Sequence, residues 1–242
     1  MSVDARTGDN RDAWRAKPAL RLVYHDLYRR MAARLVPGRT LEVGGGGGNL
    51  KEFAPDVIST DISPAPWLDA VCDAQDLPFA VASFANIVLF DVLHHMARPD
   101  AFFTAAGRVL VPGGRIVMVE PAITPVSRIV YGLFHPEPVD MSADPLAPGP
   151  LASGGDPWDA NQAIPTLLFR RKARAFRDAF PDFDVLAVER LSLFVYPLTG
   201  GYSGPALVPA GLVPALLRIE DALCPLLGPL MAFRLLVVLQ RD

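Results

Sequence analysis

Cysteine is scarce in this chain: two in 242 residues, Cys72 and Cys224. That number excludes a disulfide framework and a cysteine-rich metal cluster. Both sit in apolar surroundings and read as small core residues. Histidine is nearly as rare, at four: His25, His94, His95 and His135. No H-x-x-H pair or carboxylate cluster at ligand spacing accompanies them, so no metal site is expected. Basic runs are missing too. Twenty-three Lys and Arg are mixed with 26 Asp and Glu for a formal charge of −3, which removes RNA and DNA from the expected partners. The N-terminus is polar and lacks the apolar core of a signal peptide, so a cytoplasmic location is expected. Residues 191–217 are uncharged, yet Pro197, Gly200, Gly201, Gly204, Pro205, Pro209, Gly211 and Pro214 interrupt them. A membrane span is excluded there, because a helix would break repeatedly.

Proline and glycine are plentiful, at 24 and 19 residues. The prolines crowd after Glu120, and residues 143–158 read as a loop or lid hinge. Five glycines run together in Thr40-Leu41-Glu42-Val43-Gly44-Gly45-Gly46-Gly47-Gly48-Asn49-Leu50. With no side chains above that turn, a ligand can approach the backbone closely. The following helix would begin with free N–H groups aimed at it. A second apolar run, Val57-Ile58-Ser59-Thr60, then ends at an acid, Asp61. Strand, glycine turn, helix, strand and acid together make a nucleotide-binding arrangement.

Spacing narrows the nucleotide. In a dinucleotide G-x-G-x-x-G pattern the third glycine would fall on Asn49 or Leu50, so neither register is complete. G-x-G-x-G is complete at Gly44, Gly46 and Gly48, with Glu42 two residues ahead. A carboxylate is awkward beside a pyrophosphate and acceptable beside a cation. This E-x-G-x-G-x-G pattern resembles the first motif of class I S-adenosylmethionine (SAM) methyltransferases. The resemblance continues in Asp73-Ala74-Gln75-Asp76-Leu77-Pro78-Phe79, in Asn86-Ile87-Val88-Leu89-Phe90-Asp91-Val92-Leu93-His94-His95, and in Arg108-Val109-Leu110-Val111-Pro112-Gly113-Gly114-Arg115. It covers residues 10–121 closely and is nearest the UbiE-like, or type 11, branch, which methylates small molecules.

The resemblance implies SAM as cofactor and S-adenosylhomocysteine as its product. It implies a cofactor site made from Glu42, Gly44, Gly45, Gly46, Gly48, Asp61, Ile62, Asp73, Ala74, Gln75, Phe90 and Asp91. Asp61 would hold the ribose hydroxyls and Asp73 the adenine amino group. Ser63-Pro64-Ala65-Pro66-Trp67 is too short and proline-rich for the crossover helix usual in the family, leaving Trp67 to supply that wall.

Alternation of strands and helices predicts an α/β fold: a Rossmann-like, seven-stranded, mostly parallel sheet with helices on both faces. The resemblance adds an antiparallel C-terminal edge hairpin. One domain is expected, with a mobile leader over residues 1–16 and a helix over 19–35 covering the cofactor. Within it, residues 1–38 form an N-terminal cover, 39–121 the SAM-binding core, 122–183 an acceptor-binding insertion or lid, and 184–242 the hairpin and helix that complete the sheet. Tyr24 and Tyr28 share a helix face, to wall the ligand or pack the core. Asp100 is expected to cap a helix over 101–110, and a further helix is expected over 214–227.

Methyl transfer needs in-line positioning, and a hydroxyl acceptor benefits from a general base. His94 and His95 leave the fourth strand at the binding rim, as a base or as structural residues. His135 and Glu137 lie two apart in the proline-stiffened His135-Pro136-Glu137-Pro138, which either aims both inward or simply fixes a turn. These four are the candidate catalytic residues. The expected reaction is methylation of a small molecule, most readily at oxygen. Apolar residues after Tyr196 hint at a hydrophobic, lipid-linked or glycan-linked acceptor. A non-catalytic partner-binding subunit, SAM-assisted chemistry without methylation, and a homodimer stay open.

Overall fold

The computed structural model describes residues 3–147, 149 and 159–242. Seven strands form one sheet in the order β3-β2-β1-β4-β5-β7-β6. They are β1 (Thr40–Val43), β2 (Ile58–Asp61), β3 (Ala70–Val71), β4 (Phe84–Phe90), β5 (Leu110–Pro121), β6 (Phe183–Leu191) and β7 (Arg234–Arg241). The β1, β2, β3, β4 and β5 pairings are parallel, whereas β5–β7 and β6–β7 are antiparallel. The expected sheet and edge hairpin are therefore present. Because the strand order reverses between β1 and β4, the crevice above their carboxyl ends is the place for a ligand.

Burial explains the central strands. Ile87, Leu89, Ile116, Met118, Val237 and Leu239 are fully buried, and each apolar side chain contributes roughly 1.5–3 kcal/mol. One face carries α4 (Pro99–Val109) and α7 (Ala173–Ala179), with Phe102, Phe103 and Phe176 in its core. The other face is covered by α2 (Pro18–Ala32), through Leu20, Val23, Leu27 and Met31 on one stripe. A long helix, α9 (Val213–Met231), packs beside it and along β6, with Pro225 and Pro229 inside.

Several elements depart from expectation. The expected leader is instead helix α1 (Val3–Ala16), pinned by Trp14, which is buried and donates its Nε1–H to Glu52 at 2.9 Å. Asp100 is not a cap: α4 starts at Pro99 after Arg98, and Asp100 pairs with Arg98. The cysteines are half-buried and both are free, Cys72 packed against the core and Cys224 outside it. Of the proposed 143–158 hinge, residues 148 and 150–158 lie outside the described residues.

Candidate active site

The glycine turn leaves β1 with Gly44, Gly46 and Gly48 at φ of 75°, 43° and 76°, a region other L-residues rarely adopt. The five glycines are not equivalent. A Cβ on Gly44 would strike Val92, one on Gly45 would strike Ser59, and one on Gly48 would strike Trp67. Above Gly46 nothing stands closer than 3.9 Å. Three glycines therefore permit packing, and Gly46 leaves room for a bound group. The amide of Gly46 donates to Asp61 Oδ2 and that of Ser63 to Asp61 Oδ1, both at 2.9 Å. This carboxylate thus fixes the turn to the end of β2. Helix α3 (Asn49–Phe53) then begins directly beneath.

Glu42 points into the sheet, is buried, and accepts a hydrogen bond from the Ser59 hydroxyl. Burial pushes its carboxyl up to about 7, only partly offset by Ser59. Asp73 accepts from the amide and side chain of Gln75 at 2.8 and 3.0 Å, and Gln75 in turn accepts from the Arg98 amide. Ala74 is half-buried between them, and Ile62 stands half exposed beside Asp61. Carboxylates thus stand at successive strand ends, with apolar surface between them.

At the far end of the crevice, Phe90 stacks on Tyr24 with centroids 4.7 Å apart. Asp91, at φ 57°, pairs with Arg234. Arg234 is buried and its guanidinium lies 4.2 Å from the centre of the Tyr196 ring. Burial works against its charge, but Asp91 and the surrounding tyrosines raise its pKa further. Sequence reasoning missed Arg234. Its signal is a lone cation opening the otherwise apolar run Leu235-Leu236-Val237-Val238-Leu239.

A cover lies over this crevice. Lys17 Nζ donates to the carbonyls of Gly201, Tyr202 and Gly204, tying the start of α2 to the loop after α8 (Val195–Leu198). From that loop Tyr202 meets Tyr24 edge-on, and its hydroxyl accepts from Asn49 at 2.7 Å. Trp67 lies over the glycine turn and donates to Gly46 O at 2.8 Å, with Arg11 stacked 4.0 Å from its ring centre. Tyr24 and Tyr28 thus pack as core and also wall the crevice.

Beside it, at the exits of β4 and β5, is a second cluster. Glu120, fully buried, accepts from the amides of Val92 and Leu93 at 2.9 and 2.8 Å. Its other oxygen takes His94 Nδ1–H at 2.7 Å, while His94 Nε2 lies 3.3 Å from Glu137. Burial alone would lower the His94 pKa, but the two carboxylates hold it up at about 10. Burial would likewise raise Glu137, yet His94 and the other histidines bring it to about 2. His95 is lowered to about 4, by burial first and then by the neighbouring His94 charge. Its Nε2 lies 3.8 Å from Glu137, and it hydrogen-bonds the Asp159 backbone. His135 Nδ1 is 3.9 Å from Glu137 and accepts from its amide.

All four candidate catalytic residues therefore converge. Glu120 and Gln162 were not foreseen. Gln162 donates to Glu137 at 2.5 Å and lies 3.2 Å from His135. Its segment is held by the Asn161 amide donating to His94 O and the Gln162 amide donating to Pro138 O. Neither residue belongs to a local motif, so only the fold reveals them. His94, His95 and Glu137 also offer ligand atoms within 4.8 Å of one another, as do Asp91, His94 and Glu120. Linear spacing gave no sign of such groupings. Here His94 is engaged by Glu120 and Glu137, and Asp91 by Arg234.

Residues 41–118 match the family model described as a methyltransferase domain. No curated protein sequence matches significantly. Among solved structures, a SAM-dependent methyltransferase from Thermotoga maritima, described as a possible histamine N-methyltransferase, superposes with a TM-score of 0.57 at 15% identity, covering 99% of this chain and 97% of that one. Geranyl diphosphate C-methyltransferase from Streptomyces coelicolor A3(2), with Mg2+, geranyl diphosphate and S-adenosylhomocysteine, gives 0.51 at 16% identity over 90% and 77%. A geranyl diphosphate methyltransferase in complex with SAM gives 0.52 at 17% identity over 90% and 85%. At such identities the superpositions speak for the fold alone. Residues 41–118, running from β1 into β5, thus match a methyltransferase domain, and the superpositions give the chain the fold of SAM-dependent methyltransferases.

Proposed function

We propose that this methyltransferase methylates a hydroxyl of a small, largely apolar molecule, with the His94–His95–Glu137 cluster handling the proton. When bound, SAM supplies an electrophilic methyl on sulfur. Gly46, Asp61 and Asp73 are its expected contacts, with Ile62, Ala74 and Phe90 as apolar surface. Glu42 lies beside the glycine turn as a carboxylate ready to ionise near a cation. The cover formed by Tyr202 and Trp67 must loosen for the cofactor to enter and then excludes water from it.

The observation that carries the acceptor chemistry is Glu137, an ionised carboxylate surrounded by three histidines beside the crevice. His94 is already protonated at neutral pH and is no base. His95 is neutral there and takes the hydroxyl proton. Glu137 faces it and stabilises the imidazolium that forms, while His94 and Gln162 hold Glu137 in place. Glu120 anchors His94 and the turn leaving β4.

The test is methyl transfer from labelled SAM to a panel of phenols and apolar alcohols, followed by a pH profile on the best acceptor. Activity is expected to rise as pH passes about 4, where His95 loses its proton, and to fall near 10, where His94 loses its own. Transfer only to amines or carbon centres, or a profile centred on an unperturbed histidine, would overturn the hydroxyl reading.

A further inference from the structure

A separate cavity of about 220 Å³ opens at the carboxyl edge of the antiparallel side of the sheet. Its wall combines Arg170 and Arg171, from the π-helical turn Leu167–Arg171, with Arg190 near the end of β6. Most arginines of this chain are occupied: Arg30 and Arg234 by carboxylates, Arg108 and Arg241 by carbonyls. The guanidiniums of the three at the cavity make no hydrogen bond, ion pair or ring contact among the described residues. Three arginines line this one space with no acidic residue in its wall, the Arg170 charge acts on Arg190, and an anion among them relieves that repulsion.

The cavity is also built rather than incidental. Arg190 is held at its root: its carbonyl accepts from Cys224 Sγ, and Gly228 of α9 lies against its side-chain stem. A side chain on Gly228 would come within 3.3 Å of Arg190 Cβ. Thr166, also on the wall, accepts from the Ile123 amide at 2.9 Å and has its hydroxyl proton left to donate. Helix α5 (Pro125–Phe134) starts at the rim, with its positive end there. Apolar surface in the wall comes from Ile123, Pro229 and Leu235. Burial, and then the neighbouring Arg170 charge, lower the pKa of Arg190, so an anion would favour its charged form.

We infer that this cavity binds a small organic phosphate, its phosphoryl group among Arg170, Arg171 and Arg190 and its carbon portion on Ile123, Pro229 and Leu235. Volume favours an ester over the bare ion. A water occupies about 30 Å³ of liquid, so the cavity exceeds what a phosphate ion fills. The site is distinct from the cofactor turn. It lies roughly one helical turn, from Gln162 to Thr166, away from the histidine cluster.

The experiment needs no methyl transfer and so stands or falls apart from the proposed reaction. Phenyl phosphate, inorganic phosphate, and chloride at matched ionic strength are titrated calorimetrically into the full chain without SAM. Phenyl phosphate is expected to bind at least tenfold tighter than inorganic phosphate, and chloride not at all. Arg190→Gln should weaken phenyl phosphate at least tenfold, and Arg170→Gln likewise, with unchanged thermal unfolding of the ligand-free variants. Equal binding of ester and ion would overturn the organic-phosphate assignment. No binding, or binding unchanged in both variants, would overturn the site. If Arg190→Gln fails to fold, Arg170→Gln and Arg171→Gln, on exposed positions, decide the matter.

Discussion

The rim above β1, β2 and β3 and the rim above β4 and β5 are built from different kinds of contact. On the first, carboxyl groups accept hydrogen bonds from backbone amides and nearby hydroxyls: Asp61 from Gly46 and Ser63, Glu42 from Ser59. On the second, charges are neutralised by opposite charges from distant segments: His94 by Glu120 and Glu137, Asp91 by Arg234. Amide dipoles hold a loop in shape and leave it able to accept a ligand. Ion pairs in a dry setting fix protonation states. The first rim is thus suited to holding a cofactor, and the second to deciding where a proton goes.

The largest expected effect tests that division on the second rim. Glu137→Gln keeps the shape but removes the charge facing His94, His95 and His135. The maximal rate should fall by about 10²–10³, within the span typical of general acid–base groups. The dissociation constant for SAM should stay within about twofold. Stability should also lose part of its pH dependence. The depressed Glu137 carboxyl contributes stability above its unfolded value near 4.5, lost as pH falls towards about 2. The raised His94 contributes below 6.5, lost as pH rises through about 10. Steady-state kinetics, SAM titration and denaturation against pH report each. Weaker SAM binding at an unchanged maximal rate would erase the contrast between the rims.

The same contrast explains what the sequence reveals. Contacts on the first rim are local, so Gly44, Gly46, Gly48, Glu42 and Asp61 stand in one short stretch where a spacing rule can find them. The strand alternation is equally local, which is why the sheet could be foreseen. On the second rim only the Leu93-His94-His95 turn and the His135–Glu137 pair are local. Glu120, Glu137, Gln162 and Arg234 arrive from four segments, and no spacing connects them before the chain folds. Trp14 shows another limit: the first helix is polar in sequence and is held by one buried indole and its bond to Glu52. Amphipathic periodicity does not register a helix anchored that way.

A smaller effect probes the one buried acid on the first rim. The folded carboxyl of Glu42 is raised from 4.5 to about 7. Below 4.5 it is protonated whether the chain is folded or not, and no penalty arises. Between 4.5 and about 7 the unfolded chain ionises while the buried carboxyl stays protonated, so stability falls by on the order of 3 kcal/mol and levels off above that range. Glu42→Gln keeps an acceptor for Ser59 and avoids that loss. The ligand-free variant should therefore be more stable than the parent at pH 8, by about 1–3 kcal/mol, and indistinguishable from it near pH 4. SAM should bind it more weakly, because a cation near Glu42 loses its counter-charge. Denaturant titration at both pH values measures the first, and calorimetry the second. A variant less stable at pH 8 would mean that Glu42 is already ionised and paired.

The smallest effect separates binding from turn formation at Asp61. Its two oxygens accept amides from either side of the crevice, so Asp61→Asn keeps one acceptor and Asp61→Ala keeps none. If the carboxylate only shapes the turn, both variants should lose SAM affinity in step with thermal stability, and Asn should restore most of it. If it also meets the ribose, Asn should fold normally yet bind SAM about tenfold more weakly, one charge-assisted hydrogen bond being worth roughly 1.5–3 kcal/mol. The maximal rate at saturating SAM should be unchanged in both, since nothing on the second rim has moved. A fall in that rate with intact affinity would show that the two rims communicate through the glycine turn, and Val92, packed where a Gly44 side chain would stand, is the contact through which it would pass.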